Sequence, residues 1–188
     1  APDLPALERV EPTPTNPTMA ARPGGAPGWE PTPRPRAWRW IVIHHSATDH
    51  GNAEIFDRWH REGNHWDELG YHFVIGNGTD SGDGRVEVGS RWHKQKHGAH
   101  CRVGDDQTYN QTGIGICLVG NFHRRRPSDR QMKALARLVD WLATRYDIGL
   151  DHVIGHGWVD DTDCPGRHFS FDELRRRPHV QPQPVHDF

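Results

Sequence analysis

A histidine and a cysteine in the last quarter of the sequence have the types and the spacing of metal ligands. His156 and Cys164 are eight residues apart, and the loop between them contains a glycine and three aspartates. Pro165 and Gly166 favour a tight turn that would aim the thiolate inward, because proline presets one dihedral angle and glycine permits the next. A hydrolytic zinc site uses three protein ligands and leaves its fourth position to water, so a third ligand is required.

The third ligand is expected at the end of a strand, because rigid elements place ligands more accurately than loops do. His44 and His45 close the first predicted strand. Neighbouring strand residues point to opposite faces of a sheet, so only one of the two histidines can face a metal that is also bound by His156 and Cys164. The residue pattern alone does not choose between them.

Three other interpretations of these residues stay open. The histidine pair could serve packing and hydrogen bonding alone. Cys164 could be a catalytic thiol, although no His-Asn or His-Asp partner pattern accompanies it. A closed structural zinc would need a fourth protein ligand, for which the nearby candidates are His152, Asp163 and His168.

The elements that would position these groups include five predicted strands. Apolar and β-branched runs predict strands over residues 40–45, 71–75, 85–88, 113–119 and 153–154. The run over 113–119 carries apolar residues on both faces, which indicates a strand in the centre of the sheet.

Capping residues predict three helices between these strands. Asn52 caps the first helix, which ends at Gly63, and Ser128 and Gln131 form a capping box for the second. The third begins after Ser170. The order β-α-β-β-β-α-β-α predicts an α/β fold: a single domain with a central mixed β-sheet flanked by about three helices.

Proline-rich segments flank this domain. Residues 1–36 hold ten of the fifteen prolines, a density that excludes helix and central strand. We predict an extended N-terminal arm over residues 1–36, a catalytic domain over 37–177 and a C-terminal tail over 178–188. Trp29 could anchor the arm on the domain, and the alternative is a linker without fixed structure.

The composition argues against two classes of partner. The net charge of -2 provides no basic field that would attract nucleic acid or anionic membrane. No apolar run reaches the roughly 20 residues that a membrane-spanning helix needs, so we expect no membrane insertion. We expect a monomer. We also expect export to the periplasm or the extracellular space, where proline-rich tethers are common, although the numbering starts at Ala1 without signal-peptide features.

Short blocks between residues 40 and 174 follow the order found in one protein family. They cover residues 41–46 (Ile-Val-Ile-His-His-Ser), 70–75, 98–100, 109–110, 113–120, 155–156 and 162–166 (Thr-Asp-Cys-Pro-Gly). With these blocks the chain resembles the zinc-dependent N-acetylmuramoyl-L-alanine amidases, a family that includes phage lysozyme-like amidases and the peptidoglycan recognition proteins. The shared order of the blocks is specific, whereas no single block would be.

The resemblance implies a ligand set and a reaction. It selects His44, the first of the histidine pair, which would bind one Zn²⁺ ion together with His156 and Cys164. Recognition proteins without activity usually lack the cysteine, so its presence favours an enzyme. The implied reaction is hydrolysis of the amide bond between N-acetylmuramic acid and L-alanine in peptidoglycan. The alternatives are a non-catalytic module that binds peptidoglycan or muropeptides, and a zinc hydrolase of another amide.

The resemblance also implies roles for residues around the metal. It places Tyr71 next to the metal-bound water, where the phenol would donate to the developing oxyanion or orient the water. Some branches have a lysine where this chain has Thr162, whose hydroxyl could serve as a weaker second donor or cap a turn. His100 and Asn110 fall where the family lines its substrate groove. Other branches carry a glutamate general base on the central strand, but this chain has no carboxylate there, so the general base stays unassigned.

Overall fold

A five-stranded mixed sheet lies at the centre of the domain. The computed structural model describes residues 24–31 and 33–176. Its strands are β1 (Trp40–His45), β2 (Phe73–Ile75), β3 (Val86–Val88), β4 (Gly113–Leu118) and β5 (Val153–Gly155). Their order in the sheet is β3-β2-β4-β1-β5, and every neighbouring pair is parallel except β2 with β3. The predicted α/β fold with a central mixed sheet is confirmed.

Strand β4 occupies the centre of the sheet, as its sequence predicts. All six of its residues are buried, and β2 and β1 flank it on either side. Ile114 and Ile116 belong to the main core, whereas Cys117 belongs to a second cluster with Phe56. The parallel register pairs Cys117 with His44 of β1, so the carboxyl ends of β1 and of the central strand β4 lie side by side.

Helix α4 (Asp129–Tyr146) covers one face of the sheet. Its capping box forms as predicted: the Ser128 hydroxyl accepts the N–H of Gln131 at 3.0 Å, and the Gln131 side chain accepts the N–H of Ser128 at 3.2 Å. Apolar residues at helical spacing, including Leu135 and Leu142, pack against alternate residues of β1 and β4 in the main core. Apolar packing therefore closes this face.

Helix α1 (Ala53–Asn64) covers only part of the opposite face. Asn52 caps it by accepting the N–H of Ile55 at 2.8 Å, and the helix runs one residue past the predicted end at Gly63. Its buried residue Phe56 packs over β2 and β4. Over β1 and β5 the same face is covered by loop residues such as Cys101 and by Tyr109 of a short helix, and the candidate site lies at this side of the sheet.

Three short α-helices complete the described fold, α2 (Ser90–His93), α3 (Thr108–Thr112) and α5 (Phe171–Arg176), together with 3-10 helices over Leu150–His152 and His156–Trp158. The sequence predicts α5 but neither α2 nor α3. Strand β2 begins two residues later than predicted, which leaves Tyr71 in the segment before it. Among the residues described, no helix has both the length and the apolar character needed to cross a bilayer.

The described part of the N-terminal arm packs on the domain through Trp29. Its ring is buried with its centroid 5.4 Å from that of Trp141 in α4, and its carbonyl accepts the indole N–H of Trp92 at 2.7 Å. Within residues 24–31 the arm is therefore anchored. Residues 1–23 and the predicted tail over 178–188 lie outside the described residues, and the boundaries at 36 and 177 stay predictions.

Candidate metal centre

The carboxyl ends of β1 and β5 bring two histidines together. His44 is the fifth residue of β1, and His156 follows β5 directly. The two strands are parallel neighbours with Ile43 opposite Gly155, so their ends lie at the same edge of the sheet. The ring centroids of the two histidines are 4.8 Å apart. In open α/β sheets this edge is the usual place for a ligand site.

A folded-back loop returns Cys164 to these histidines. The N–H of Gly157 donates to the Cys164 carbonyl at 2.7 Å, and the N–H of Gly166 donates to the Asp163 carbonyl at 2.6 Å. A Cβ atom at Gly157 would lie 2.1 Å from the Thr162 carbonyl oxygen, so the loop closes this tightly only over glycine. The predicted turn after the cysteine is present, with Gly166 at a φ of 103°.

Three ligand atoms converge at this edge. One atom each from His44, His156 and Cys164 lie within 4.8 Å of one another, and the Cys164 sulfur is 3.8 Å from Nδ1 of His44. A zinc ion about 2.3 Å from sulfur and about 2.0 Å from nitrogen, at a tetrahedral angle, would hold those two atoms about 3.5 Å apart. Two imidazoles and a thiolate are also donors that zinc prefers. The group therefore fits a zinc ion with one position left open.

No fourth ligand joins this group among the residues that the structure describes. His152 stacks on the ring of Trp40 with centroids 4.1 Å apart, and its Nδ1 contacts the Arg39 carbonyl at 3.0 Å. His168 and Asp163 are exposed to solvent. The geometry therefore gives no support to a closed structural zinc.

His45 takes no part in the group, because its side chain lies on the other face of β1. Its Nδ1 accepts the N–H of Phe122 at 3.1 Å, and its ring centroid lies 5.0 Å from that of His123. Its backbone N–H instead donates to the Cys164 sulfur at 3.4 Å. The geometry thus brings His44, and not His45, to the group, where the residue pattern left the choice open.

Cys164 lacks the surroundings of a catalytic thiol. Burial raises the pKa of its thiol to about 12, and the N–H of His45 offsets this only in part. The adjacent imidazole supplies no cation, because burial and the neighbouring rings of His100 and His156 hold the pKa of His44 well below its usual value. A buried thiol without a cationic partner is protonated near neutral pH and is a poor nucleophile. The surroundings therefore favour metal binding by this cysteine over thiol catalysis.

Each histidine of the group has a partner on its outer nitrogen. Nε2 of His44 lies 3.0 Å from Nδ1 of His100, and Nε2 of His156 lies 3.2 Å from a carboxylate oxygen of Asp160. These contacts leave Nδ1 of both rings free to bind a metal through its lone pair. The residue pattern alone assigns no role to Asp160, although a carboxylate four residues after a ligand histidine is a usable signal for such a contact.

Tyr71, two residues before β2, lies against the group. Its ring centroid is 5.2 Å from that of His44, and the side chain packs against the buried cluster that contains Cys117. Burial, followed by the nearby thiols of Cys117 and Cys164, holds the pKa of Tyr71 well above its usual value. The phenol therefore keeps its proton near neutral pH and remains a hydrogen-bond donor.

The other predicted site residues have contacts of a different kind. The Thr162 hydroxyl accepts the N–H of Cys164 at 3.3 Å, so it caps the turn that carries the cysteine. His100 and Asn110 are buried, and the Asn110 side-chain oxygen accepts the N–H groups of His100 and Cys101 at 2.8 and 2.9 Å. Neither residue presents a free polar tip to a groove, so this geometry does not support their predicted contact with substrate.

Fold and site together define a class of protein. A mixed α/β sheet carries two histidines and a cysteine that converge at the ends of parallel strands and leave one position open, as in metal-dependent hydrolases. The family model for N-acetylmuramoyl-L-alanine amidase matches residues 34–167, and the chain belongs to this family. The resemblance that the sequence blocks indicate is thereby confirmed.

Curated relatives include both amidases and recognition proteins. The N-acetylmuramoyl-L-alanine amidase of Sus scrofa is 33% identical over 141 residues, which are 68% of this chain and 21% of that protein. The chain thus spans about a fifth of the length of this mammalian relative. A peptidoglycan-recognition protein of Drosophila simulans is 30% identical over 154 residues, which are 78% of each chain.

A solved amidase has the same fold. The N-acetylmuramoyl-L-alanine amidase LysC from Clostridium intestinale URNW aligns with a TM-score of 0.64 at 29% identity, over 74% of this chain and 83% of that one. Because the family contains enzymes and recognition proteins, membership alone does not decide between catalysis and binding.

Proposed function

We propose that the chain is a zinc-dependent amidase that hydrolyses the amide bond between N-acetylmuramic acid and L-alanine of peptidoglycan. The observation that supports this most directly is the group of His44, His156 and Cys164, with three ligands and one open position. A bound zinc ion would polarise the scissile carbonyl and lower the pKa of a water at the open position.

Two hydroxyl groups beside the metal group have tasks in this proposal. Tyr71 keeps its proton and donates a hydrogen bond to the carbonyl oxygen that becomes negative when water attacks. Thr162, on the turn that carries Cys164, offers a second hydroxyl, since a hydroxyl that accepts one hydrogen bond can still donate another. Both groups are held by the protein before substrate arrives, which is what stabilisation of a developing charge requires.

Peptidoglycan or a soluble muropeptide is the proposed partner, and we propose that the protein acts on it as an exported monomer. The names of the relatives support this substrate class. An exposed indole near the site supports it as well. Trp66 is 38% exposed, and its ring packs on that of His60 with centroids 4.8 Å apart. The His60 ring in turn packs on Tyr71, with centroids 5.6 Å apart. Such a ring suits stacking on the apolar face of a sugar.

Product analysis tests the proposal. Zinc-loaded protein is incubated with purified peptidoglycan, and the soluble products are identified by mass spectrometry. We expect stem peptides that begin with L-alanine, together with glycan whose muramic acid keeps its lactyl carboxylate. A chelator should stop the release, and added zinc should restore it. Cleavage inside the stem peptide or within the glycan would contradict the proposal.

Recognition without catalysis is the second candidate, since the family includes recognition proteins. The same experiment separates the two functions. Protein that sediments with insoluble peptidoglycan, but releases no stem peptide from it or from soluble muropeptides, would identify a binding module. A protein that binds zinc and leaves both substrates intact while hydrolysing another amide would instead be a zinc hydrolase of that amide on the same fold.

A further inference from the structure

The ring of His100 lies in a socket that two glycines leave open. A Cβ atom at Gly115 of β4 would lie 2.4 Å from Cδ2 of His100, and a Cβ atom at Gly98 would lie 2.3 Å from the same atom. Neither glycine has a positive φ, so glycine is needed here for the space that the ring occupies and not for backbone freedom. The fold therefore provides a specific place for an imidazole behind His44.

Hydrogen bonds fix the orientation of this ring. The Asn110 side chain holds the backbone N–H of His100 at 2.8 Å. Nε2 of His100 is 3.2 Å from the Gly113 carbonyl oxygen, and its Nδ1 is 3.0 Å from Nε2 of His44. A carbonyl only accepts hydrogen bonds, so Nε2 of His100 must carry the ring proton. In a neutral ring Nδ1 is then a bare acceptor that faces His44.

The hydrogen bond between the two rings also assigns the proton of His44. Its Nε2 faces a bare nitrogen, so the hydrogen bond forms only when Nε2 of His44 donates. Nδ1 of His44 is then unprotonated, and this atom lies 3.8 Å from the Cys164 sulfur. Both hydrogen bonds thus have the same direction: His44 donates to His100, and His100 donates to the Gly113 carbonyl.

We propose that His100 is a positioning residue that holds His44 as the Nε2–H tautomer and so turns the lone pair of Nδ1 toward the metal position. The purpose of this contact rests on the proposed zinc function, but the tautomer itself exists without a metal. In this role His100 orients a metal ligand, which differs from its predicted contact with substrate. Asn110 serves the same task one step further out, because it holds the backbone of His100.

Nitrogen-15 NMR of the histidine rings in zinc-free protein tests the tautomer. In wild-type protein we expect His44 and His100 each to carry a single proton on Nε2. His100→Phe fills the socket but removes the acceptor, so His44 should populate both tautomers, and the zinc Kd from competition with a chelator should rise about 10- to 100-fold. His100→Asn places an oxygen near the position of Nδ1 and should restore one tautomer and most of the affinity.

His72 provides the matched control. It is buried like His100, its Nδ1 accepts the N–H of Gly115 at 2.9 Å and its Nε2 lies 3.0 Å from the Lys96 carbonyl, but its hydrogen bonds do not reach the metal group. His72→Phe should lower the thermal stability and leave the zinc Kd and the His44 tautomer unchanged. An equal loss of zinc affinity in His72→Phe and His100→Phe would reveal a packing effect and overturn the proposal.

Other outcomes separate this inference from the proposed function. A wild-type His44 with its proton on Nδ1 in zinc-free protein would overturn the positioning role, whether or not the protein binds zinc. The expected tautomer in a protein that binds no zinc would support the hydrogen-bond order and sink the zinc amidase. If His100→Phe does not fold, the wild-type spectrum and His100→Asn still decide the question.

Discussion

The two halves of the candidate centre are held in different ways. The sheet half consists of His44 and the residues packed beside it, Tyr71, His72 and His100. Its ligand, His44, lies within β1, is 1% exposed and contacts the buried ring of His100. In the loop half, residues 156–166, His156 and Cys164 are only partly buried. The carboxylate that contacts His156, Asp160, is 33% exposed. One ligand is therefore fixed by strand pairing and the other two by a loop.

This difference indicates how the centre combines accurate geometry with access for the metal. Hydrogen bonds in buried strands open only at a high cost in free energy, whereas surface loops open locally at a much lower cost. The sheet half holds one ligand and Tyr71 in place before any metal arrives. The loop half is the part that we expect to open and close around the ion.

Loss of a ligand from the loop half has the largest expected effect. Cys164→Ser replaces a thiolate with a hydroxyl that zinc binds poorly, so bound zinc and stem-peptide release should both fall to background. Zinc content by atomic absorption and product release by mass spectrometry check this. Cys101→Ser changes a buried cysteine outside the metal group and should keep both zinc and activity. Full activity in zinc-free Cys164→Ser protein would end the metal hypothesis.

Tyr71→Phe tests the sheet half without touching a ligand. We expect an unchanged zinc content and a fall of about 10²- to 10³-fold in kcat, because one donor to the oxyanion is lost. Tyr109→Phe is the control, since that ring packs on Trp40 at 5.3 Å between centroids and should keep wild-type kcat. If Tyr71→Phe also loses zinc, Tyr71 supports the ligands and the oxyanion role is wrong.

The sheet half shows what the sequence predicts well and what it does not. Strand β1 and the start of α4 at Ser128 follow from local periodicity and capping, and the structure has both. The contact of His44 with His100 joins residues 56 positions apart, and no local pattern encodes it. The sequence carries one sign of it, the glycines Gly98 and Gly115. Their role, which is to leave space for the His100 ring, can be recognised only from the structure.

In the loop half, the local spacing of residues predicts the structure better than it does in the sheet half. The turn that returns Cys164 to His156 follows from the proline and glycine after the cysteine.

Elements outside the site that depend on long-range contacts are not predicted by the sequence. Helix α2 is held by Arg91, whose side chain donates to the Leu69 carbonyl at 2.6 Å, and four helical residues carry no periodicity that would predict them.

Acid should act on the sheet half, where buried histidines are neutral. His72 packs beside His100 with centroids 5.7 Å apart, and burial lowers its pKa to about 3. In the unfolded chain a histidine titrates near 6.5, so below that pH the unfolded state binds a proton that the folded state does not. The stability contributed by neutral His72 is therefore complete above about pH 6.5 and is lost as the pH falls toward 3, by about 1.4 kcal/mol per pH unit.

Urea unfolding of zinc-free protein between pH 7.5 and 4.5 measures this effect, above the range in which most carboxylates of an unfolded chain titrate. His72→Gln should flatten the pH dependence of the free energy of unfolding by the equivalent of about one proton. His93→Gln, at an exposed position of α2, should keep the wild-type slope. Parallel curves for wild type and His72→Gln would show that His72 does not carry the acid sensitivity.

The smallest effect is expected at the outer contact of the loop half. Asp160→Asn keeps an oxygen that can accept from Nε2 of His156, and the site is open enough for water to replace the lost charge. We therefore expect the zinc Kd to rise about tenfold, at the lower end for such partners, with Asp161→Asn unchanged as the exposed neighbour. Chelator competition measures both. A larger loss of zinc affinity in Asp160→Asn than in His100→Phe would contradict this view of the two halves. The loop half would then determine the ligand geometry that we assign to the sheet half.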